Sequence, residues 1–299
     1  MDRINLKAMG KINLALDVLG RRENGYHDVR MIMQSVQIYD RLLLERSHEP
    51  GIFVTTNRPY LPTDENNLVY KAAKLLMEEF RIEEGVKIDL KKFLPVSAGM
   101  AGGSSDAAAV LFGMNKMFGL SLSMKELMER GVKIGADIPF CIMRGTVLAE
   151  GIGEILTPLD DAPPCHVLIA KPPMGVSTKV IYEKLDTAGV KDHPDTDGMI
   201  RCIRKQDLAG MAALLGNVLE DVTKEECPVI GKIEEVMKAN GALGAIMSGS
   251  GPTVFGLFEN ETEAKNAYER LKAERLAKQI YLTGFFRRKR RPEDNNAGL

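Results

Sequence analysis

The sequence predicts an α+β protein with two domains, and three observations support this fold class. Apolar and polar residues alternate over positions 4–18, which is typical of a half-buried β-strand. Over 63–80 the apolar residues instead repeat at helical spacing, and Gly85 follows the predicted helix. Further strand and helix patterns interleave along the chain without the regular βαβ rhythm of a doubly wound parallel sheet.

The first half continues this mixture of elements. A polar turn with an Asn-Gly step at 21–25 separates the opening strand from a second apolar run that extends to Tyr39. After the helix over 63–80, residues 86–90 alternate again as a strand. A loop of small residues follows, and an Ala-rich helix begins directly after it. Ser123 and Glu126 then form the signature of a capping box for the next helix.

A short linker marked by prolines around 158–164 predicts the boundary between the two domains. The second half contains strand patterns at 167–170 and 280–282, strand–loop–strand around 248–252, and helical patterns at 177–185, 206–220, 229–239 and 261–276. We therefore expect an N-terminal domain over 1–158, a C-terminal domain over 159–285, and a basic and polar tail over 286–299.

Composition excludes several classes of protein. The 299 residues include 40 Lys+Arg and 41 Asp+Glu, for a net charge of −1, so no global basic field attracts nucleic acid. Four cysteines lie far apart without a C-x-x-C motif, which argues against a disulfide scaffold or a zinc site; we expect reduced, buried thiols. With no apolar signal segment and no stretch long enough to span a membrane, the sequence predicts a cytoplasmic protein.

The strongest local motif is the small-residue loop that precedes the Ala-rich helix. Small residues let backbone N–H groups approach an anion, and a helix that begins at Ser104 or Ser105 points its positive end at the same place. The motif is neither a Walker A loop nor a dinucleotide-binding fingerprint, because the lysine and the glycine spacing are missing. A glycine-rich helix entry that binds nothing is the alternative. The candidate phosphate-binding residues are Pro95, Val96, Ser97, Ala98, Gly99, Met100, Ala101, Gly102, Gly103, Ser104 and Ser105.

Three further segments carry candidate functional residues, each with a simpler alternative. The Ser248–Gly251 segment is either a plain hairpin turn or a second loop that faces the first across a cleft. Asp137 lies among small and apolar neighbours, where it could be a general base or could cap a turn before Pro139. Lys11 and Asn13 occupy the polar positions of the first strand, which could equally be a solvated strand face.

Together, these segments resemble the GHMP kinases, a group named for galactose, homoserine, mevalonate and phosphomevalonate substrates. The resemblance rests on the loop 95–105, the segment Gly-Ala-Asp-Ile-Pro at 135–139 and the late Ser-Gly-Ser-Gly-Pro loop, and it extends from about residue 7 to about 256. Lys-Ile-Asn-Leu at 11–14 with Arg-Glu-Asn-Gly-Tyr-His at 22–27 is similar to one branch, whose substrate is a cytidine diphosphate derivative of methylerythritol in the non-mevalonate isoprenoid pathway.

This resemblance implies both a fold and a set of roles. It implies an N-terminal domain like domain 2 of ribosomal protein S5, a C-terminal α+β GHMP kinase domain and a site between them. ATP would bind on the loop 95–105 and Mg²⁺ would accompany it, with Ser105 as a candidate metal contact. Asp137 would be the catalytic base and Lys11 its electrostatic partner. The substrate-binding residues would be Asn13, Tyr26, His27, Thr178, Tyr182, Ser248 and Gly249. Ala101 departs from the glycine of some members, and because alanine tolerates mostly conformations with φ < 0, this departure bears on the local geometry of the loop alone.

Two other functions remain open at the sequence level. The chain could be a GHMP kinase of the homoserine or mevalonate type, although those substrates carry no base to stack on aromatic residues. It could also be an RNA-binding S5-like module that uses the basic run 287–291, but Glu293 and Asp294 follow that run and favour a solvated tail. We therefore expect a small-molecule substrate, with neither nucleic acid nor membrane as a partner. The sequence makes no prediction of the oligomeric state.

Overall fold

The computed structural model describes residues 1–288, and its first half is built on a long antiparallel hairpin. The elements of this half are β1 (Arg3–Arg21), β2 (His27–Ser47), β3 (Ile52–Thr56), α1 (Leu68–Glu79), β4 (Gly85–Lys91), α2 (Gly102–Phe118), α3 (Met124–Val132), α4 (Ile138–Met143), β5 (Thr146–Glu150) and β6 (Ile155–Pro158). Strands β1 and β2 pair from Arg3 and Glu45 at one end to Arg21 and His27 at the other.

The second half begins with β7, and its elements are β7 (His166–Lys171), α5 (Thr178–Ala188), α6 (Thr196–Lys205), α7 (Leu208–Ala213), β8 (Gly216–Asn217), α8 (Glu220–Glu226), α9 (Val229–Ala239), β9 (Gly244–Met247), β10 (Val254–Phe258), α10 (Glu261–Ala273) and β11 (Gln279–Gly284). Most of its strands form a separate antiparallel sheet in the order β11-β7-β10-β9. Strand β8 instead pairs in parallel with β1, where Ala15 faces Gly216.

The larger sheet places the opening strand at the centre of the molecule. Its strand order is β3-β4-β2-β1-β8, and β5 and β6 extend it from β2. Helices α1 and α2 pack together, and α2 also contacts β1 and β2. The two sheets and their helices confirm the predicted α+β class.

The middle of β1 is buried on both faces, which the alternating sequence pattern did not indicate. The pairing register with β2 shifts between Met9 and Lys11 and again between Asn13 and Ala15. Such irregularities change the direction in which side chains project. Lys11 is only 5 % exposed and Asn13 is fully buried, so the solvated strand face was the wrong interpretation of these residues.

Helix α2 begins earlier than predicted. The prediction began the helix at Ser104 or Ser105, but the helix starts at Gly102 and both serines lie inside its first turn. Ala101 occupies the N-cap position with φ 52°, in the left-handed region that alanine seldom adopts, so the chain keeps here the conformation that a glycine would favour. The Ala101 side chain offers no capping oxygen, and therefore no capping side chain occupies the N–H groups of the first turn.

Other local predictions gave mixed results. The capping box of α3 is confirmed, since Ser123 Oγ accepts from the Glu126 N–H and a Glu126 oxygen accepts from the Ser123 N–H. The single helix predicted over 206–220 was wrong, because α7 ends at Ala213 and the chain then turns to form β8 against β1. The sequence patterns also did not indicate α4, α6, β5 or β6, most of which are short.

All four cysteines are free thiols, as expected, but only Cys141 and Cys227 are buried; Cys165 and Cys202 are half-buried. Within residues 1–288, no helix combines the length and the apolar character needed to cross a bilayer. Arg287 forms an ion pair with Asp161 at 3.6 Å. The rest of the predicted tail, including Lys289–Arg291 of the basic run, lies outside the described residues.

Candidate active site

A cavity of about 920 Å³ lies where the small-residue loop, strand β1 and helix α5 approach one another. Most of the residues that the sequence singled out line it. They are Lys11, Asn13, Tyr26, His27, Pro95, Val96, Ser97, Ala98, Gly99, Ala101, Gly102, Gly103, Ser104, Asp137, Thr178, Tyr182 and Gly249. The chain thus brings together residues that are more than 200 positions apart in the sequence.

Three of the predicted site residues do not line the cavity but are buried in the structure around it. Met100 is 1 % exposed and packs in the apolar core. Ser105 is also buried, and its hydroxyl donates to the Met9 carbonyl at 2.6 Å. Ser248 is fully buried between β1 and the small-residue loop. These three residues were predicted to contact ligand, but their positions suit a structural role.

The two small-residue loops touch each other directly. Ser248 Oγ donates to the Gly99 carbonyl at 3.0 Å and accepts from the Asn13 N–H at 3.3 Å. Gly99 has φ 68°, and a Cβ atom at this position would lie 2.1 Å from the Ser248 carbonyl oxygen. Only glycine therefore fits here. The second loop is a turn between β9 and β10 that also fixes the first loop, so the plain-hairpin alternative was incomplete.

The first turn of α2 presents an uncapped helix N-terminus at one wall of the cavity. Gly102, Gly103 and Ser104 line the cavity at the positive end of the helix, with no side-chain cap. The Lys11 N–H donates to the Met100 carbonyl at 3.1 Å, which ties β1 to the loop. Backbone N–H groups and the helix dipole can therefore bind a phosphate here.

Lys11 and Asp137 both face the cavity near this surface. Lys11 Nζ donates to Asn13 Oδ1 at 2.7 Å. Asp137 stands at the N-cap position of α4, but its side chain makes no capping hydrogen bond, so the capping alternative was wrong. Among residues 1–288, Lys11 forms no ion pair within 4.0 Å, and its ammonium group is held by Asn13 rather than by Asp137. The Asp137 carboxylate is therefore available to a ligand.

Aromatic residues form the opposite end of the cavity. The rings of His27 and Tyr182 lie 4.7 Å apart at an angle of 37°. Burial, with a smaller effect of the Asp137 charge, raises the pKa of Tyr182 to about 12, so its hydroxyl stays neutral. Tyr26 is 58 % exposed at the rim. Thr178 Oγ1 lies 2.8 Å from Ser250 Oγ and connects α5 to the second loop.

Several lining residues escaped the sequence analysis. Leu61, Leu68 and Leu90 form an apolar part of the cavity lining, here called the apolar recess, and Asn67 also lines the cavity. In the sequence, Asn67 can be recognised only as a candidate helix cap, and in the structure its side chain does cap α1. At the aromatic end, Arg21 and Asp186 were also missed; they form an ion pair at 3.2 Å. Nothing in their local sequence distinguishes them from ordinary surface charges.

The described residues do not form a metal site of their own. Within 1–288 there is no group of three or more His, Cys, Asp or Glu side chains that could hold a metal ion. The Ser105 hydroxyl is committed to the Met9 carbonyl and faces away from the cavity, so the predicted Mg²⁺ contact does not fit.

Comparisons with known proteins show the family to which this chain belongs. The sequence profile described as GHMP kinases N terminal domain matches residues 67–145, and that described as GHMP kinases C terminal matches 199–278. A 4-diphosphocytidyl-2-C-methyl-D-erythritol kinase from Lachnospira eligens is 56% identical over 286 residues, which cover 96% of this chain and 99% of that relative. A relative of the same name from Caldicellulosiruptor saccharolyticus is 51% identical over 93% of this chain and 95% of its own length.

Solved structures show the same similarity. The crystal structure of a 4-(cytidine 5'-diphospho)-2C-methyl-D-erythritol kinase superimposes with a TM-score of 0.81 at 30% identity, covering 94% of this chain and 99% of that one. The mevalonate kinase of L. major has a TM-score of 0.76 at 19% identity, with 97% and 98% of the two chains covered; at this identity it supports the fold alone.

Proposed function

This chain belongs to the GHMP kinases and, within them, to the 4-diphosphocytidyl-2-C-methyl-D-erythritol kinases, and on that premise we propose how it carries out the reaction. It transfers the γ-phosphate of ATP to the 2-hydroxyl of 4-diphosphocytidyl-2-C-methyl-D-erythritol, a step in non-mevalonate isoprenoid synthesis. The observation that carries this proposal is the shared cavity, which joins an anion-binding helix end, a free carboxylate and an aromatic wall.

ATP binds with its phosphates on the first turn of α2 and its base in the apolar recess. The N–H groups of Gly102, Gly103 and Ser104 meet the phosphates, as the uncapped helix end favours. Leu61, Leu68 and Leu90 offer apolar surface to the adenine ring. This orientation leaves the terminal phosphate toward the centre of the cavity, on the side of Lys11 and Asp137.

Asp137 acts as the general base. Its carboxylate accepts the proton of the substrate 2-hydroxyl as the hydroxyl oxygen attacks the γ-phosphorus and the bond to the bridging oxygen of ADP breaks. Lys11 supplies positive charge beside the transferring group and is held in place by Asn13. Phosphoryl transfer needs positioning and charge neutralisation more than covalent assistance, and these residues provide both.

The aromatic end binds the cytidine. Tyr182 and His27 form a partly buried wall, and Tyr26 at the rim can close over a flat base. Thr178 and Gly249 line the passage between the two ends and are placed to contact the methylerythritol diphosphate. Mg²⁺ is expected to arrive with ATP, since the described residues offer no three-ligand site for it.

The reaction is tested by mass spectrometry of the product formed from ATP, Mg²⁺ and the cytidine diphosphate substrate. A mass gain of one phosphate on that substrate, with homoserine and mevalonate unchanged in parallel assays, is the expected result. Phosphorylation of homoserine or mevalonate instead would support a kinase of the other type.

The assignment of the base is tested with Asp137→Asn. We expect kcat to fall by about 10²–10⁴-fold, the usual contribution of general base catalysis, with little change in the KM for ATP. Asp192→Asn is a matched control, because Asp192 is exposed and does not line the cavity. Near-normal turnover in Asp137→Asn would mean that another group accepts the proton.

A further inference from the structure

A buried cluster of one lysine and two carboxylates lies beside the phosphate-binding helix end, and the proposed chemistry makes no use of it. Lys92, Asp40 and Asp106 have side chains that are 4%, 0% and 3% exposed. Lys92 Nζ donates to Asp106 Oδ2 at 2.7 Å and also to Asp40 Oδ2. Two carboxylates share one ammonium group here, so full ionisation would leave a buried negative charge.

The two carboxylates differ in their hydrogen bonds. Asp40 is fully satisfied, because its second oxygen accepts from the N–H groups of Phe93 and Leu94, the latter at 2.8 Å. The second oxygen of Asp106 is buried and has no hydrogen-bond partner among residues 1–288. An ionised carboxylate without partners is costly to bury. Burial raises the pKa of Asp106 well above its usual range, and the nearby Asp40 charge acts in the same direction.

The cluster is in contact with the ATP-binding end of the cavity. Lys92 and Asp106 both line the cavity. Asp106 lies on α2 four residues after Gly102, and Lys92 Nζ is 3.2 Å from where a Cβ atom on Gly102 would be. Lys92 therefore connects β2, the end of β4 and the first turn of α2 at the place where phosphates are expected to bind.

We propose that Lys92 is a positioning residue for ATP, held between Asp40, whose two oxygens both accept hydrogen bonds, and a protonated Asp106. It fixes the first turn of α2 so that the helix N–H groups face the phosphates. The neutral Asp106 completes this support without placing a negative charge beneath an anionic ligand. The proposal rests on the function proposed above, because it assigns the helix end to ATP.

The same substitution on either side of Lys92 tests this arrangement. Asp106→Asn replaces a neutral carboxyl by a neutral amide, and we expect ATP affinity to stay within about threefold of the wild type. Asp40→Asn removes the fully hydrogen-bonded carboxyl partner and places an amide group against Lys92. We expect Asp40→Asn and Lys92→Met to weaken ATP binding at least about tenfold, as for the loss of a charge-assisted hydrogen bond. The KM for the cytidine substrate should change little in all three variants.

Affinity is measured by calorimetric titration with a non-hydrolysable ATP analogue, which does not require turnover. Absence of phosphorylation by the wild type would contradict the proposed function, whereas the pattern among the variants addresses the cluster alone. If Asp106→Asn is as defective as Asp40→Asn, or if Lys92→Met binds the analogue normally, the proposal is wrong.

A spectroscopic measurement decides the matter if Asp40→Asn or Lys92→Met fails to fold. The infrared C=O band of a protonated carboxyl group should be present in the wild type and absent in Asp106→Asn. The spectra are recorded in a Glu234→Gln background, because the Glu234 carboxyl, whose pKa is about 7, would otherwise contribute to the same band. A wild type without this band would overturn the assignment of the proton to Asp106.

Discussion

His27 Nε2 and Asp186 Oδ1 lie 2.8 Å apart, although 159 positions separate the two residues in the sequence. The contact joins the start of β2 to α5, and Arg21 forms an ion pair with the same carboxylate. In a neutral imidazole, donation from Nε2 leaves Nδ1 as a hydrogen-bond acceptor. Asp186 thus sets both the orientation and the hydrogen-bonding character of a ring in the proposed cytidine wall.

We predict that Asp186→Ala raises the KM for the cytidine substrate about fivefold, as expected for the loss of one partly exposed hydrogen bond. Steady-state kinetics should show kcat and the KM for ATP nearly unchanged, because the phosphate end is not altered. Asp186→Asn retains an acceptor and should be less impaired. Asp192→Ala is the control, and an unchanged substrate KM in Asp186→Ala would show that the contact does not serve binding.

Ser248→Ala should weaken the junction of the two loops. The substitution leaves the Asn13 N–H and the Gly99 carbonyl without their partner, which should cost about 1–3 kcal/mol in the free energy of unfolding. The KM for ATP should rise because the loop loses its support. Denaturant unfolding and ATP kinetics measure the two effects. Ser121→Ala, at an exposed position, is the control and should change neither.

Ala101 tests the importance of the left-handed residue before α2. Its φ of 52° costs an L-residue about 1–2 kcal/mol, which glycine avoids while losing about 0.5–1 kcal/mol to chain entropy. We expect Ala101→Gly to keep its stability and its KM for ATP close to the wild type. Ala101→Val should be less stable and should have a higher KM for ATP, since a branched side chain tolerates this conformation poorly. Equal behaviour of the two variants in thermal unfolding would contradict this account.

Glu234 should give the protein a stability that depends on pH. Burial, with the adjacent Glu220 charge, raises the pKa of Glu234 from 4.5 to about 7. The folded state then keeps a proton that the unfolded state has lost, so the free energy of unfolding falls as pH rises from 4.5 to about 7. Glu234→Gln should flatten this part of the profile. Glu235→Gln, at the exposed neighbouring position, should leave the wild-type slope intact.

Features that depend on neighbours in the chain could be predicted from the sequence. The strand character of β1, the capping box of Ser123 and the small-residue loop before α2 all depend on residues a few positions apart. The resemblance to the GHMP kinases also predicted that residues as far apart as Lys11 and Gly249 belong to one site. The α+β class followed from the same local patterns.

Features that depend on distant partners could not be predicted in this way. The alternation places Lys11 among exposed positions, but bulges in β1 and the loop packed against it bury the side chain. From the sequence, Ser105 was predicted to contact the ligand. In the structure, its hydroxyl instead donates a hydrogen bond to the Met9 carbonyl. The partners of Asp186 and Asp106 lie on elements that are distant in the sequence, so no local sequence pattern identifies these two residues as part of the site.

The two-residue strand β8 has a consequence for how the chain can be divided. It pairs with Ala15 and Leu16 of β1, and the Val218 N–H also donates to the Leu16 carbonyl at 3.1 Å. A fragment that ends at residue 158 would lack this cover and would expose an unpaired stretch of the strand that carries Lys11. Open strand edges invite pairing between molecules. Such a fragment is expected to aggregate on expression, and supplying residues 159–288 as a separate chain should restore its solubility.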